Sequence, residues 1–519
     1  MPEPPLRKPE PSPTTTAGPE LAASLARIAT AIAGAIAVWL LVIHGRMVLS
    51  PAPQEMREGA VLWLTRLLLE GRNPYALAEL PAGTNVYGIL YHLIVLPLAY
   101  VFGNGFPVHR AVSAAAIVAA CVLMFRLLRR ERTDACLAWV GTILFYVSCV
   151  YFTGPLARPD GVAVLLSMAS LVLVTERRVT PAVFGAGLGL ALLALITKIS
   201  LAFPPFIVAA HLFLLRKDER WRGLSFGVVA ILSALAVLVV MNRLYPAYVT
   251  LTFAANAQSG FTDAAHLRRQ TIDWLVFSLP LTLGIVFGVA RGINGWFGAN
   301  ARAAAPTVFA FGAAANACVF FVWLGWHPGA HMTYLFQLVT PLLMPAVLPP
   351  LSRLGWPRAL VAAALPVSLV MSAPYFTWTF ERFTASEATF ASLDRTIASH
   401  ESVLGSTEVA GLLAMEGRPV LDSGQSEYFG EAIGRRTLPG TVAREALRER
   451  WESMFAEMEG VMRRGGFDLI VRSRRAGLIP LSLVMAHYRR VETVSVTFAW
   501  SGQSWLVDLW TPQDAANGP

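Results

Sequence analysis

VYGILYHLIVLPLAYVF, residues 86–102, can be read as a helix that crosses a membrane or as one that lies on its surface. That choice decides the fold. The stretch is apolar enough to cross, but Gly88 and Pro97 lie inside it and Pro81 just before it. A crossing helix needs about 20 residues, and proline removes a backbone donor from a helix interior. The rest of the chain settles the matter through its charges. A first apolar stretch runs from about Leu21 to Val48, and others follow 86–102 at about 111–128, 135–153, 161–175, 181–197, 199–215, 224–241, 274–290, 304–325, 332–350 and 359–376. If 86–102 crosses, the clusters Arg126, Arg129, Arg130, Arg132, then Arg177, Arg178, then Arg216, Lys217, Arg220, Arg222 all fall outside the cell. If it lies on the outer surface, each returns to the cytoplasm, with Arg291, Arg353 and Arg358, as the positive-inside bias requires. The reading is therefore about eleven spans, with the N-terminus inside and the C-terminus outside.

Composition agrees with a membrane protein. Of 519 residues, 55% are hydrophobic and only 14% charged, where a soluble domain carries roughly 25%. Mean hydropathy is +0.54. The net charge of +9 belongs to the cytoplasmic turns, so nucleic acid is not an expected partner and the lipid bilayer is. Cys121, Cys136, Cys149 and Cys318 all sit in apolar stretches without metal spacing and read as small hydrophobes.

Three regions follow. Residues 1–20, rich in Pro, Thr and Glu, are expected to form a disordered cytoplasmic tail. Residues 21–379 form an all-α polytopic membrane domain, whose first periplasmic loop covers about 48–110. Residues 380–519 form a soluble periplasmic α/β domain. There, helices are expected at about 385–399, 406–416 and 443–464, and strands at 419–421, Phe467–Val471, Val491–Ala499 and Trp505–Trp510.

On this topology the unusual polar residues collect on the outer side. Asp160 starts a span, and Lys198 lies in a turn too short to leave the membrane surface. Charge at that depth needs a partner or a water-filled cavity. One reading pairs Arg158 with Asp160 to close a turn. The other is an outward cavity where Arg110, Arg158 and Lys198 meet an anionic group, for which guanidinium forks and ammonium point charges are both suited. Glu55 and Glu58 stand three apart on the amphipathic stretch Met56–Leu69, on one helix face. They are either a solvated face or carboxylates able to take a proton from an attacking hydroxyl. His327 and His331 are separated by Pro328 and Gly329, which argues against a helical metal pair. No Walker or dinucleotide phosphate loop is present.

These motifs, in this order, resemble the GT-C glycosyltransferases, integral membrane enzymes that take a sugar from a polyprenyl-phosphate carrier. The group includes protein O-mannosyltransferases and the aminoarabinose transferases of lipid A. The resemblance rests on Arg57-Glu58-Gly59 with Leu69-Glu70-Gly71-Arg72-Asn73-Pro74-Tyr75, on Asn85–Tyr91, on Arg110, on Leu156-Ala157-Arg158-Pro159-Asp160, on Thr197-Lys198-Ile199-Ser200 and on Gly329–Leu335. It covers most of residues 25–375 and also places the 86–102 helix outside. The chain departs from the family in one respect. The family's first loop usually carries an Asp, and none occurs between residues 47 and 110; Arg57 takes its place and Glu58 matches a second acid.

The resemblance implies an inverting transferase of the bacterial cytoplasmic membrane. It moves a hexosyl or pentosyl unit from a polyprenyl-phosphate donor to a hydroxyl of an envelope glycan, glycolipid or protein. Glu58 is expected to accept the hydroxyl proton, with Glu55 as second candidate. Arg110, Arg158 and Lys198 would hold the carrier phosphate, Asp160 would orient Arg158 or touch the sugar, and His331 and Tyr334 would line the donor groove. Some members use a divalent metal, for which this sequence offers no convincing ligand cluster. A lipid-linked-sugar transporter or flippase is the rival reading; coupled transporters place charge at the midplane in repeated, broken helices. A non-catalytic scaffold presenting residues 380–519 is the other.

Overall fold

The computed structural model of the chain describes residues 17–79, 85–150, 155–176, 180–215, 220–254, 265, 267–268, 271–272, 305–322, 332–352, 380–421, 442–474, 478–499 and 504–513. The apolar stretches 274–290 and 359–376 lie outside the described residues, as does the segment 1–16. Nine helices are named first: α1 (Ala17–Leu49), α2 (Glu58–Leu69), α3 (Leu90–Phe102), α4 (Phe106–Arg130), α5 (Ala135–Val150), α6 (Asp160–Val174), α7 (Pro181–Leu195), α8 (Phe203–Leu215) and α9 (Arg220–Leu244). After them come α10 (Ala305–Val322) and α11 (Met332–Leu351). Thr30–Leu49, Phe106–Arg130 and Gly223–Leu244 are long and apolar enough to cross a membrane, and shorter apolar helices pack among them.

Local chemistry sets several of these boundaries. Pro51 and Pro53 follow α1 and cannot extend it. Gly105 caps α4, with a proline in the first turn, where its missing N–H costs nothing. The helix α3 has 13 residues and contains Pro97, so it reaches about 20 Å against a hydrocarbon core of ~30 Å. One face of α3 buries Tyr91, His92, Val95 and Ala99; the other leaves Leu93, Ile94, Leu98, Val101 and Phe102 exposed. A short helix with this division suits a membrane surface better than a crossing.

The helix ends sort into two groups. At one end, Arg130 at the close of α4 donates to Val172 O, at 3.1 Å, and to Glu176, at 2.9 Å, beyond α6. At the other end, Arg110 in α4 donates to Met47 O and Ser50 O at the close of α1, and Ser113 Oγ donates to Arg158 O just before α6. The loop ahead of α3 is stitched to the turn after α7: Gly88 N donates to Thr197 O at 3.0 Å and Leu90 N to Ile196 O at 3.3 Å. A Cβ at Gly88 would run into the Ile196 carbonyl, so only glycine allows this approach.

The C-terminal part consists of α12 (Phe380–Ala398), α13 (Ala410–Glu416), α14 (Val442–Arg463), α15 (Leu481–His487) and a four-stranded sheet. The strands are β1 (Val403–Gly405), β2 (Leu469–Ser473), β3 (Tyr488–Thr497) and β4 (Ser504–Pro512), in the order β1-β2-β4-β3. β1 and β2 are parallel, pairing Leu404 with Ile470; β4 runs antiparallel to β2 and to β3, pairing Ile470 with Trp510 and Val494 with Val507. Alternate side chains face opposite ways. Leu469, Val471, Val507 and Leu509 join a core with Phe390 and Leu413, while Ile470 and Trp510 meet Met458, Met462 and Val484. The strand expected at 419–421 is absent, because Gly417 ends α13 in the left-handed conformation and Pro419 has no donor. β1 replaces it, and α15 is an additional helix.

The two parts share a core. Leu62, Leu64 and Leu67 of α2, Phe106 and Tyr248 pack in one cluster with Leu393, Leu412 and Leu413. Contact is closest where α13 crosses α2: a Cβ on Gly59 would lie 2.7 Å from Gly411 N, and one on Gly411 would enter the Phe106 ring. Overpacking such a site costs about 1–3 kcal/mol. Gly411→Val is therefore expected to lower the unfolding temperature of the purified full chain, read by scanning fluorimetry. Gly34→Ala, whose Cβ meets nothing within 4 Å, serves as the control that does not lower it. Equal unfolding temperatures would contradict this packing.

Candidate active site

The centre of the site is a saturated ion pair. Glu58 opens α2 and Arg110 lies in the first turns of α4; both side chains are 0% exposed. Arg110 Nε donates to Glu58 Oε1 at 2.8 Å and Nη2 to Oε2 at 2.7 Å. Its remaining N–H groups go to Met47 O, Ser50 O and Ala52 O. That uses all five guanidinium donors. Glu58 also accepts from the backbone N–H groups of Gln54 at 2.7 Å, Glu55 at 3.3 Å and Ala157 at 2.8 Å. The pair thus joins the end of α1, the 50–55 loop, α2, α4 and the Arg158-Pro159-Asp160 turn. Sequence reasoning set Glu58 to a proton and Arg110 to a phosphate; the fold sets them to each other.

Beside this pair lies a second group of charges. Glu55 keeps 13% side-chain exposure; its Oε2 accepts the Arg57 N–H at 3.0 Å, and Arg57 Nε and Arg158 Nη1 each stand 3.8 Å from its carboxylate. Arg158 Nη2 donates to the Tyr87 hydroxyl at 2.7 Å, and its Nε lies 3.3 Å from Asp160 Oδ2. Asp160 Oδ1 accepts from Lys198 Nζ and, at 3.3 Å, from Gln337 Nε2 of α11. Asp160 sits in the first turn of α6, where the helix dipole favours an anion. Arg158, Asp160 and Lys198 are each at most 6% exposed. Ser200 Oγ is buried on the turn after Lys198, with no hydrogen-bond partner among the described residues. Among the described residues, Arg57, Arg158 and Lys198 against Glu55 and Asp160 leave one excess positive charge, which suits an anionic ligand.

The donor set among the described residues does not fit a metal ion. Among the described residues no three His, Cys, Asp or Glu side chains converge. Glu55 and Asp160 both face Arg158, so a cation already stands between the two carboxylates.

Gln337 is absent from the residues the sequence points to, although a lone amide in an apolar helix is itself a signal. Tyr87 belongs to the Asn85–Tyr91 motif, but nothing in that motif assigns it to Arg158. Tyr334 lies in α11, but its side chain, like the whole of His331, falls outside the described residues; so does His327.

No family profile matches the chain, and no curated protein matches it in sequence. Solved structures do match. ArnT from Cupriavidus metallidurans in the apo state superposes with a TM-score of 0.56 at 13% identity, covering 94% of this chain and 100% of that one. ArnT from the same organism bound to undecaprenyl phosphate gives 0.57 at 14% identity, covering 94% and 99%. The chain has the GT-C fold. In this GT-C fold the predicted site residues divide into a locked pair, Glu58 and Arg110, and a charged group, Glu55, Arg158, Asp160 and Lys198.

The lock has an outer brace. Arg46, in the last turn of α1, donates from Nη1 to Glu387 of α12 at 2.6 Å. Burial would raise the Glu387 carboxyl, but hydrogen bonds from Arg46 and Ser50, with the charges of Arg46 and Arg110, hold it below its ordinary range. A carboxylate whose pKa is lower folded than unfolded stabilises the fold above its unfolded value and loses that contribution as pH falls through the folded one. The difference in unfolding temperature between wild type and Glu387→Gln should therefore be full near neutral pH and shrink below about pH 4.3, the ordinary glutamate value. A difference that stays constant or grows in acid contradicts the brace.

Proposed function

We propose that the protein is an inverting glycosyltransferase of the bacterial cytoplasmic membrane, moving a hexosyl or pentosyl unit from a polyprenyl-phosphate donor to a hydroxyl of an envelope glycan, glycolipid or protein. The observation that carries this reading is the group of charges around Arg158, with one excess positive charge among the described residues, gathered where the helix ends meet. The shared fold supports it, since one solved ArnT structure holds undecaprenyl phosphate. The positive-inside bias gives the orientation: the Arg130 end cytoplasmic, the Glu55 end and the 380–519 part periplasmic.

In this reading the acceptor oxygen attacks the anomeric carbon. The bond from that carbon to the phosphate oxygen breaks, and its electron pair leaves with the carrier. Glu55 takes the acceptor proton, because its carboxylate keeps exposure and is not saturated. Glu58 acts one step back: its carboxylate fixes the backbone N–H of Glu55. Arg158 and Lys198 take up charge developing on the phosphate, and Asp160 holds both until it arrives. Arg110 holds the loop rather than the phosphate. His331 and Tyr334 remain candidates for the donor groove. Acceptor binding is the role we assign to the C-terminal part, by its side of the membrane.

The test is mass spectrometry of envelope glycolipids and polysaccharides from a deletion strain, carrying either the wild-type chain or Glu55→Gln at matched membrane abundance. The deletion and the Glu55→Gln strain should both lack the mass of one sugar on a defined glycan, which the wild type restores. Restoration by Glu55→Gln would remove Glu55 as the base. An unchanged glycan profile in the deletion strain would count against transfer.

A further inference from the structure

A chain of buried polar groups reaches Arg158 from a histidine that the proposed reaction does not use. His92 lies on α3 and is 0% exposed, as are Thr65 of α2 and Asn85. Asn85 Oδ1 accepts the backbone N–H of Tyr87 at 3.0 Å. Its amide NH2 must then face His92 Nε2, 3.2 Å away. That nitrogen must accept, so the imidazole proton sits on Nδ1, which faces Thr65 Oγ1 at 3.0 Å. The Thr65 hydroxyl hydrogen goes in turn to Val61 O at 3.2 Å. Asn85 is the member of this chain that fixes Tyr87, by accepting its N–H, and the Tyr87 carbonyl also accepts from the Tyr75 hydroxyl at 2.7 Å. The Tyr87 hydroxyl accepts from Arg158 Nη2 at 2.7 Å.

We infer that His92 is a positioning residue: through Asn85 and Tyr87 it sets the Arg158 guanidinium to receive the carrier phosphate. The inference rests on the phosphate role proposed above for Arg158. A guanidinium recognises phosphate by direction as well as charge, so its orientation matters to affinity. In metal sites, loss of a partner that orients a ligand typically costs 10–100-fold, and the lower end of that scale is the effect expected here.

The experiment measures the Kd of the full chain in detergent for undecaprenyl phosphate by native mass spectrometry. Gln and Met are close in size and shape, but only Gln offers an oxygen near the position of Nε2. His92→Gln should bind within about threefold of wild type, and His92→Met roughly tenfold more weakly. Tyr87→Phe removes only the hydroxyl at the far end and should match His92→Met, so it decides the matter if the methionine variant does not fold. Equal affinities for His92→Gln and His92→Met, whether both wild-type or both weakened, would overturn the inference, since packing alone treats the two alike. Wild-type affinity in Tyr87→Phe would overturn it as well. Arg158→Gln separates the layers: it should lose binding, and wild-type affinity there would remove the phosphate role itself.

Discussion

Five elements of this protein meet on one buried ion pair. Arg110 spends every guanidinium donor on Glu58 and on three carbonyls at the end of α1 and the loop after it. Glu58 spends its oxygens on Arg110 and on three backbone amides. Removing two charges from water is costly, and only full hydrogen bonding at close range offsets it. The offset here ties local geometry to long-range geometry. The 50–55 loop follows a course that brings its carbonyls to Arg110, and that course delivers Glu55 beside Arg158.

The arrangement separates holding from reacting. Saturated charges are poor acids, bases and ligand contacts, because each new bond must first break an old one. Charges that are paired but partly exposed, or paired in competition, can exchange partners. Glu55, with exposure and distant cations, and Asp160, shared by Lys198, Arg158 and Gln337, are of the second kind. The C-terminal part adds rigidity from outside: α13 sits on α2 at Gly59, next to Glu58, and Glu387 holds Arg46 one turn from the loop.

Much of this fold was legible because membranes impose simple rules. Charge at span ends set the expected sidedness, and Pro97 with Gly88 marked α3 as a short helix, which its 13 residues match. Arg158, Asp160 and Lys198 stood out because ionisable groups at that depth need a reason. The Glu58–Arg110 pair was not legible as a pair. Spacing of three placed Glu55 and Glu58 on one helix face, but the residues before Glu58 form a loop, so they point to different surroundings. Nothing local tells that Arg110, 52 positions away, closes on one of them. The strand Val403–Gly405 escaped for a similar reason: three residues ending in glycine carry no alternation, and only pairing with β2 makes them a strand. His92 has no partner legible in the sequence; only the fold brings Thr65 and Asn85 to its two nitrogens.

The account stands on Glu58 and Arg110 acting as one structural unit. The most direct measurement is a double-mutant cycle on unfolding free energy, with Glu58→Gln, Arg110→Met and both together. Breaking a buried pair by one partner strands the other charge, at about 3–5 kcal/mol, whereas removing both relieves that penalty. The predicted result is two severe single losses and a double variant far more stable than their sum, a coupling of about 2 kcal/mol or more. Additive losses would contradict the lock and return Glu58 and Arg110 to the pool of groups open to substrate.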